Sequence, residues 1–266
     1  MLKDSTADVL KDFKDSLGHW RIWYFWGKQD IKGRYRRSFF GGSWVIIHLL
    51  VWSASAAIIY GKFFNQNVVD FMPYVMVGFS LWGFFNNTLA EGGNAFLAAE
   101  GYIKQIPFPS NVYLLRNFTG NVINFLALIP VMVVTYIALD RGFSINMLWA
   151  IPGLLVIFLI SFLHIVIVAH LTLIIKDLPH AIGSLMQPLF FITPLIYVKE
   201  AIPAAHSWVY EYNILFYMLE VVRRPLVSYE AVPFHYYVIL GGYTLLLLAG
   251  AIYVSRCLRP QISYKL

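Results

Sequence analysis

Chemistry at membrane depth needs ionisable side chains that can move a proton or hold a metal. The apolar stretches of this 266-residue chain include His48, His164 and His170 for that purpose, and no carboxylate. His164 and His170 stand six residues apart, on different faces of a helix, and make a poor metal pair. A hydrogen-bonded or water-facing imidazole is the simpler state for each. The HExxH spacing of a metallohydrolase is absent, and Cys257 is the single cysteine, so neither an intrachain disulfide nor a thiolate metal site is expected. A proton relay would show an intramembrane carboxylate. No GxxxxGKS or GxxxxGKT loop is present to cradle a nucleotide, so energy for active transport would have to come from another chain.

What remains is the chemistry of contact. Trp82, Phe84, Phe85, Phe190, Phe191 and Tyr197 lie within or beside apolar stretches, and a ring face can stack on the apolar face of a sugar while its edge tolerates water. Contact with lipid or a neighbouring helix is the commoner role of any one ring; collectively they permit a glycan path. Pro188 and Pro194 in QPLFFITPLIY each remove a backbone donor, and irregular backbone at membrane depth persists only where it is buried in protein or lines a wet cavity. The following segment, 199–233, is too polar to span yet carries Trp208, Tyr210, Tyr212, Phe216 and Tyr217. It suits a gate that dips into the outer leaflet and returns, and equally a plain extracellular cap.

The elements that must position these residues are helices in a bilayer. The chain is 59% hydrophobic and 13% charged, against about 25% charged in ordinary globular domains. Six stretches, 43–60, 71–90, 118–139, 147–175, 181–198 and 233–254, hold no Asp, Glu, Lys or Arg and approach the roughly 20 residues a crossing helix needs. The expected fold is therefore all-α and polytopic, with six transmembrane helices and a re-entrant outer gate between the fifth and sixth. A single domain covers 1–266, made of an N-terminal segment 1–42, a membrane region 43–254 and a tail 255–266.

Orientation follows from the basic residues. With both termini cytoplasmic, nine of the 20 Lys and Arg precede the first span, and Lys104, Arg116, Lys176, Arg256, Arg259 and Lys265 join them inside. Lys62, Arg141, Lys199, Arg223 and Arg224 lie outside, which fits the positive-inside rule. The net charge of +6 thus reads as topology and contact with anionic lipids, not nucleic acid. The first apolar run follows a long polar and amphipathic stretch, so no cleavable signal peptide is expected.

Ahead of the first span, WGKQDIKGRYRRSFFGGSW joins a basic, aromatic helix to uncharged sequence. At 3.6 residues per turn Phe13, Leu17, Trp20, Trp23, Tyr24, Ile31 and Tyr35 share a face flanked by Lys14, Arg21, Lys28, Lys32 and Arg36. Such a helix should lie in the headgroup plane, its basic stems reaching lipid phosphates. The loop 91–111 should form a short helix over 95–106, with Phe96, Ile103 and Ile106 on its apolar face and Pro107 and Pro109 ending it. It could dock in a partner's groove or rest on lipid.

The order of these segments resembles the transmembrane subunit of ABC transporters that export bacterial surface polysaccharides, the family of O-antigen, capsule and teichoic acid exporters. Asp30 to Ser38 followed by Gly41 and Trp44 is similar to that family's RDLKxRYRxSxLGxxW junction. Gly78, Trp82 and Phe85 resemble GxxxWxxF, and Ile103, Lys104, Phe108 and Pro109 resemble IKKxxFP. Lys176-Asp177-Leu178 and Thr193 to Tyr197 are similar to its RDL and TPIxY elements. The resemblance covers nearly the whole chain. Gln29 departs from the usual Arg, Leu49 stands where Pro is common, and Ile214 replaces Pro after Asn213, while Arg223 keeps a basic position.

The resemblance implies a permease in the bacterial cytoplasmic (inner) membrane, paired with a second copy of itself. Two cytoplasmic ATPase subunits would bind ATP and magnesium, and this chain would hold no cofactor or metal. The ATPases would meet Ile103, Lys104, Phe108, Pro109, Lys176 and Asp177. A lipid-linked polysaccharide would enter from the inner leaflet, its pyrophosphate drawn by Lys28, Lys32, Arg34, Arg36 and Arg37. The glycan would slide past Trp82, Phe84, Phe85, Phe190, Phe191 and Tyr197 to a gate at Pro188, Pro194, Asn213 and Arg223. Two rival readings stand beside it: an ABC permease for a drug or other lipid, and a membrane enzyme acting on lipid-linked sugars.

Overall fold

A computed structural model describes residues 4–106 and 108–266, and among them every regular element is helical. Helix α1, Thr6–Gly18, opens on a reciprocal cap: the Asp8 amide donates to Ser5 Oγ at 3.1 Å and the Ser5 amide to Asp8 Oδ2 at 3.0 Å. His19 interrupts the expected continuous amphipathic helix, and α2, Trp20–Tyr35, restarts it. The chain then turns at Gly41, whose φ of +53° a side chain would oppose, into α3, Ser43–Phe63. Helix α4, Val68–Gly93, starts on the Asn67 side chain, which accepts from the Val69 amide.

The loop after α4 holds a 3₁₀ turn, Leu97–Ala99, and the four-residue α5, Glu100–Ile103, in place of the helix expected over 95–106. Phe96 leaves the proposed surface face and buries edge-on against the His170 ring at 5.0 Å. Helices α6, Asn111–Leu126, and α7, Ile129–Ala138, form one apolar run broken just before Pro130. Helix α8, Ala150–Thr172, follows a 3₁₀ turn.

The expected span 181–198 differs most. Helix α9, Leu178–Ile192, has 15 residues, about 22 Å at 1.5 Å per residue, where the hydrocarbon core is about 30 Å thick. Pro194 ends it, because the residue before a proline is pushed out of the helical region, and Thr193 is extended at ψ 134°. After α10, Trp208–Glu211, helix α11, Ile214–Val227, is buried along most of its length. Helix α12, Phe234–Leu258, and the short α13, Ile262–Lys265, complete the chain. Among the described residues five helical segments are long and apolar enough to cross a membrane: Ser43–Phe63, Val68–Gly93, Asn111–Ala138, Ile145–Thr172 and Phe234–Lys265.

Helix α4 is the hub, packing on α3, α6, α8, α9 and α11. Lipid chains are as apolar as leucine, so the interdigitation of Leu81, Phe84, Phe125, Ile157 and Leu195 stabilises by close packing rather than by escape from water. The segment leading into α1 and the end of α12 meet at one end of the bundle. The Asp4 amide donates to the Arg256 carbonyl, and the Arg259 guanidinium bonds Asp4 and Asp12. Asp12 also accepts from the Ser110 amide at 3.0 Å and Asn111 Nδ2 at 2.7 Å, which fixes α1 to the start of α6. At the opposite end Arg141 Nη2 donates to the Val227 carbonyl and Tyr136 to Leu226, so α11 is anchored beside the α7–α8 connection.

Candidate functional site

An open groove of about 1140 Å³ runs between α3 and α9, with α4 and α6 as its floor. Rings from α3, α4 and α9 touch one another along it. Trp52 meets Phe79 edge-on at 6.2 Å, Phe79 stacks on Phe190 at 5.9 Å, and Trp82 meets Phe190 edge-on at 5.6 Å. Amides interleave them: Asn86 and Asn87 from α4, Asn121 and Asn124 from α6, and Gln187 from α9. The lining holds no Asp, Glu, Lys or Arg. Uncharged aromatic faces beside neutral donors and acceptors suit a hydroxyl-rich, uncharged solute that must bind loosely enough to leave.

Of the six rings expected on a glycan path, Trp82, Phe84, Phe190 and Phe191 line this groove. Phe85 does not, although both it and Phe84 are buried in the core. Tyr197 is also elsewhere, its hydroxyl donating to the Phe191 and Ile192 carbonyls at 3.1 and 2.8 Å, which α9 leaves without helical partners where it ends. Trp52, Phe79 and the five amides line it as well, beyond the six expected rings. Their signal was available, because an amide within an apolar span faces protein or a cavity by default.

Tyr35 lines the groove, so the basic junction lies at its mouth. Lys28, Lys32, Arg36 and Arg37 are exposed and make no ion pair among the described residues. Arg34 is different. It donates from Nη1 and Nη2 to Glu91 Oε1 and Oε2 at 2.8 and 2.9 Å, tying the end of α2 to the end of α4. Those bonds hold its pKa above the ordinary arginine value.

The residues expected to meet an ATPase gather at the end of the bundle that holds the chain termini. Phe108 packs beneath His19 and Trp26, with Ile103 half-buried nearby; Pro109 is half-buried, and Pro107 lies outside the described residues. Lys104 Nζ donates to Glu100 Oε1 at 2.6 Å, which holds the Glu100 pKa below its ordinary value, and the charge of Lys176 acts in the same direction. Lys176 and Asp177 are exposed in the turn before α9.

Three of the four gate residues converge. Arg223 is 1% exposed, donates from Nη1 to the Pro194 carbonyl at 2.7 Å and from Nη2 to Glu220 Oε1 at 2.6 Å, and lies 3.9 Å over the Tyr74 ring. Asn213 Nδ2 donates to Thr193 Oγ1 at 2.9 Å. Pro188 is exposed within α9 and stands apart from the cluster. Tyr74 and Glu220 complete it and were not expected; a lone acid three residues before an arginine on a helix was the legible cue.

The chain matches the family described as ABC-2 type transporter over residues 21–227. It is 26% identical over 230 residues to the O-antigen export system permease protein RfbA of Klebsiella pneumoniae, covering 85% of this chain and 88% of that protein. A second Klebsiella pneumoniae protein of that name is 26% identical over 216 residues, covering 79% and 83%. One from Myxococcus xanthus is 25% identical over 183 residues, covering 66% and 67%.

Proposed function

Because the chain belongs to the ABC-2 type transporter family, we propose that it is the permease subunit of an ATP-driven exporter that carries a lipid-linked polysaccharide out of the inner leaflet of the cytoplasmic membrane. The observation that carries this reading is the groove of rings and amides, lined by no Asp, Glu, Lys or Arg among the described residues, in a chain whose relatives are named O-antigen export permeases. Both termini face the cytoplasm, where two ATPase subunits bind ATP and magnesium and press on the loop around Ile103 to Pro109 and on the turn at Lys176 and Asp177. A second copy of the chain closes the open side of the groove. The pyrophosphate of the lipid carrier meets Lys28, Lys32, Arg36 and Arg37 at the mouth, since several cationic donors suit its oxygens. Anionic lipids occupy the same side chains between substrates.

Arg34, committed to Glu91, contributes field more than contact. The sugar chain advances over Phe79, Trp82 and Phe190 by many weak, similar contacts, which favour processive movement over tight retention. The cluster of Pro194, Asn213, Arg223 and Tyr74 closes the far end.

The test is export in cells lacking the chain. Long glycan should accumulate inside them and return to the surface with the wild-type chain. Normal surface display without the chain, or turnover of a lipid-linked sugar by the purified chain with no ATPase, would sink the proposal.

A further inference from the structure

Arg116, near the start of α6, sits where three parts of the chain meet. Its Nε and Nη2 donate to Asp30 Oδ2 and Oδ1 of α2 at 2.6 and 2.7 Å, a two-point fork. Its guanidinium carbon lies 5.3 Å from the Tyr102 ring of α5 and 5.6 Å from the Trp26 ring of α2. Trp26 and Tyr102 touch each other at 5.0 Å, and Trp26 also meets Phe108. The guanidinium is therefore the common partner of α2, α6 and the loop that follows α4. The backbones beside it leave no play: a Cβ on Gly27 would lie 2.7 Å from the Arg116 carbonyl and 3.2 Å from the Gly120 amide.

We infer that Arg116 is a positioning residue for transport, joining the loop at Glu100–Phe108 to α2 so that displacement of the loop travels along α2 to the Gly41–Gly42 turn and moves the α3 wall of the groove. The inference rests on the permease reading of the preceding subsection. The route is a chain of direct contacts. Tyr102 and Phe108 bear on Trp26, Arg116 bears on Tyr102 and Asp30, and Tyr35 at the end of α2 lines the groove. Beyond it Gly41, in the left-handed region, and Gly42 have open space around them, which is where a rigid helix can change its angle to the next. Helix α3 packs on α4 through Leu49, Ala56 and Ala57 and brings Trp44, His48 and Trp52 to the groove. Charge alone would not serve, because a lysine offers neither the fork nor the flat face that meets two rings.

The experiment measures glycan transport per ATP hydrolysed by the full exporter reconstituted with its ATPase subunits. Arg116→Lys, Asp30→Asn and Tyr102→Leu should each lower that ratio about tenfold or more, the scale of an ordinary coupling energy, with the ATPase still bound and hydrolysing. Joint reversal, Asp30→Arg with Arg116→Asp, should recover part of the ratio. Tyr102 is 44% exposed, so its variant keeps the test valid if changes at Arg116 impair folding. A wild-type ratio in Arg116→Lys and Tyr102→Leu overturns the inference and leaves the permease reading standing. Loss of transport only in step with loss of assembled complex also overturns it, because Arg116 would then merely support the fold. Failure of the wild-type complex to transport any glycan removes the permease reading and the inference together.

Discussion

Arg223 shows how one side chain can hold a segment that is neither a full span nor a free loop. Its charge is buried, and Glu220, the Pro194 carbonyl and the Tyr74 ring make that tolerable. Removing one partner of a buried pair leaves the other charge stranded, at a cost of about 3–5 kcal/mol. Arg223→Gln should therefore lower the stability of the detergent-purified chain by that amount in a thermal or denaturant melt, and an unchanged melt would show that the cluster does not hold α11. Two rings that look alike in sequence should part company. Trp82→Ala opens a groove wall and should slow export severalfold at normal chain level, whereas Phe85→Ala empties a core position and should cost about 3–5 kcal/mol of stability. Export assays normalised to the amount of chain in the membrane separate the two outcomes.

At the scale of the element, α2 docks one of its faces on protein and leaves the other exposed. Trp23, Trp26, Gly27 and Ile31 turn toward α6 and the loop, while Trp20, Tyr24 and Phe25 remain exposed for the headgroup region. The basic residues on this helix and just after it accordingly divide. Reversing Arg36 and Arg37 to glutamate should abolish export while pull-down of the ATPase stays intact, because neither residue is spent on the fold. Unchanged export would limit them to lipid contact. Reversing Arg34 instead sets a carboxylate against Glu91 and should reduce the amount of folded chain, read as faster proteolysis of the N-terminal helices. The Lys104–Glu100 pair is half-exposed on both sides and screened by solvent, so Lys104→Ala should leave folding unaltered and serve as a clean probe of ATPase contact.

The whole molecule presents a groove with one side open, and a glycan path needs that side closed within the bilayer. The purified chain should therefore run in light scattering at the mass of two 30.5 kDa chains. A Gly183→Cys substitution, at a groove position with open space beside it, made in a Cys257→Ser background, should cross-link chain to chain. A monomeric mass together with no cross-link would place the second copy elsewhere or exclude it.

Periodicity and composition alone determined the helical class, the apolar segments and the start of α3 at Ser43, because the bilayer imposes length and charge exclusion residue by residue. The proline after the extended Thr193 was equally legible, since its effect on backbone is local. The basic junction, too, was visible as a run of types. Which of its cations stays free was not, because Glu91 lies 57 residues from Arg34 and only folding brings them to 2.8 Å. The same limit hid Asp30 beside Arg116 and Asp12 beside Arg259. It also left Phe84 and Phe85 indistinguishable until α4 was rotated against α3, α8 and α9. Sequence states what each helix can bury or offer; the packing of several helices at once decides which face meets protein, groove or lipid.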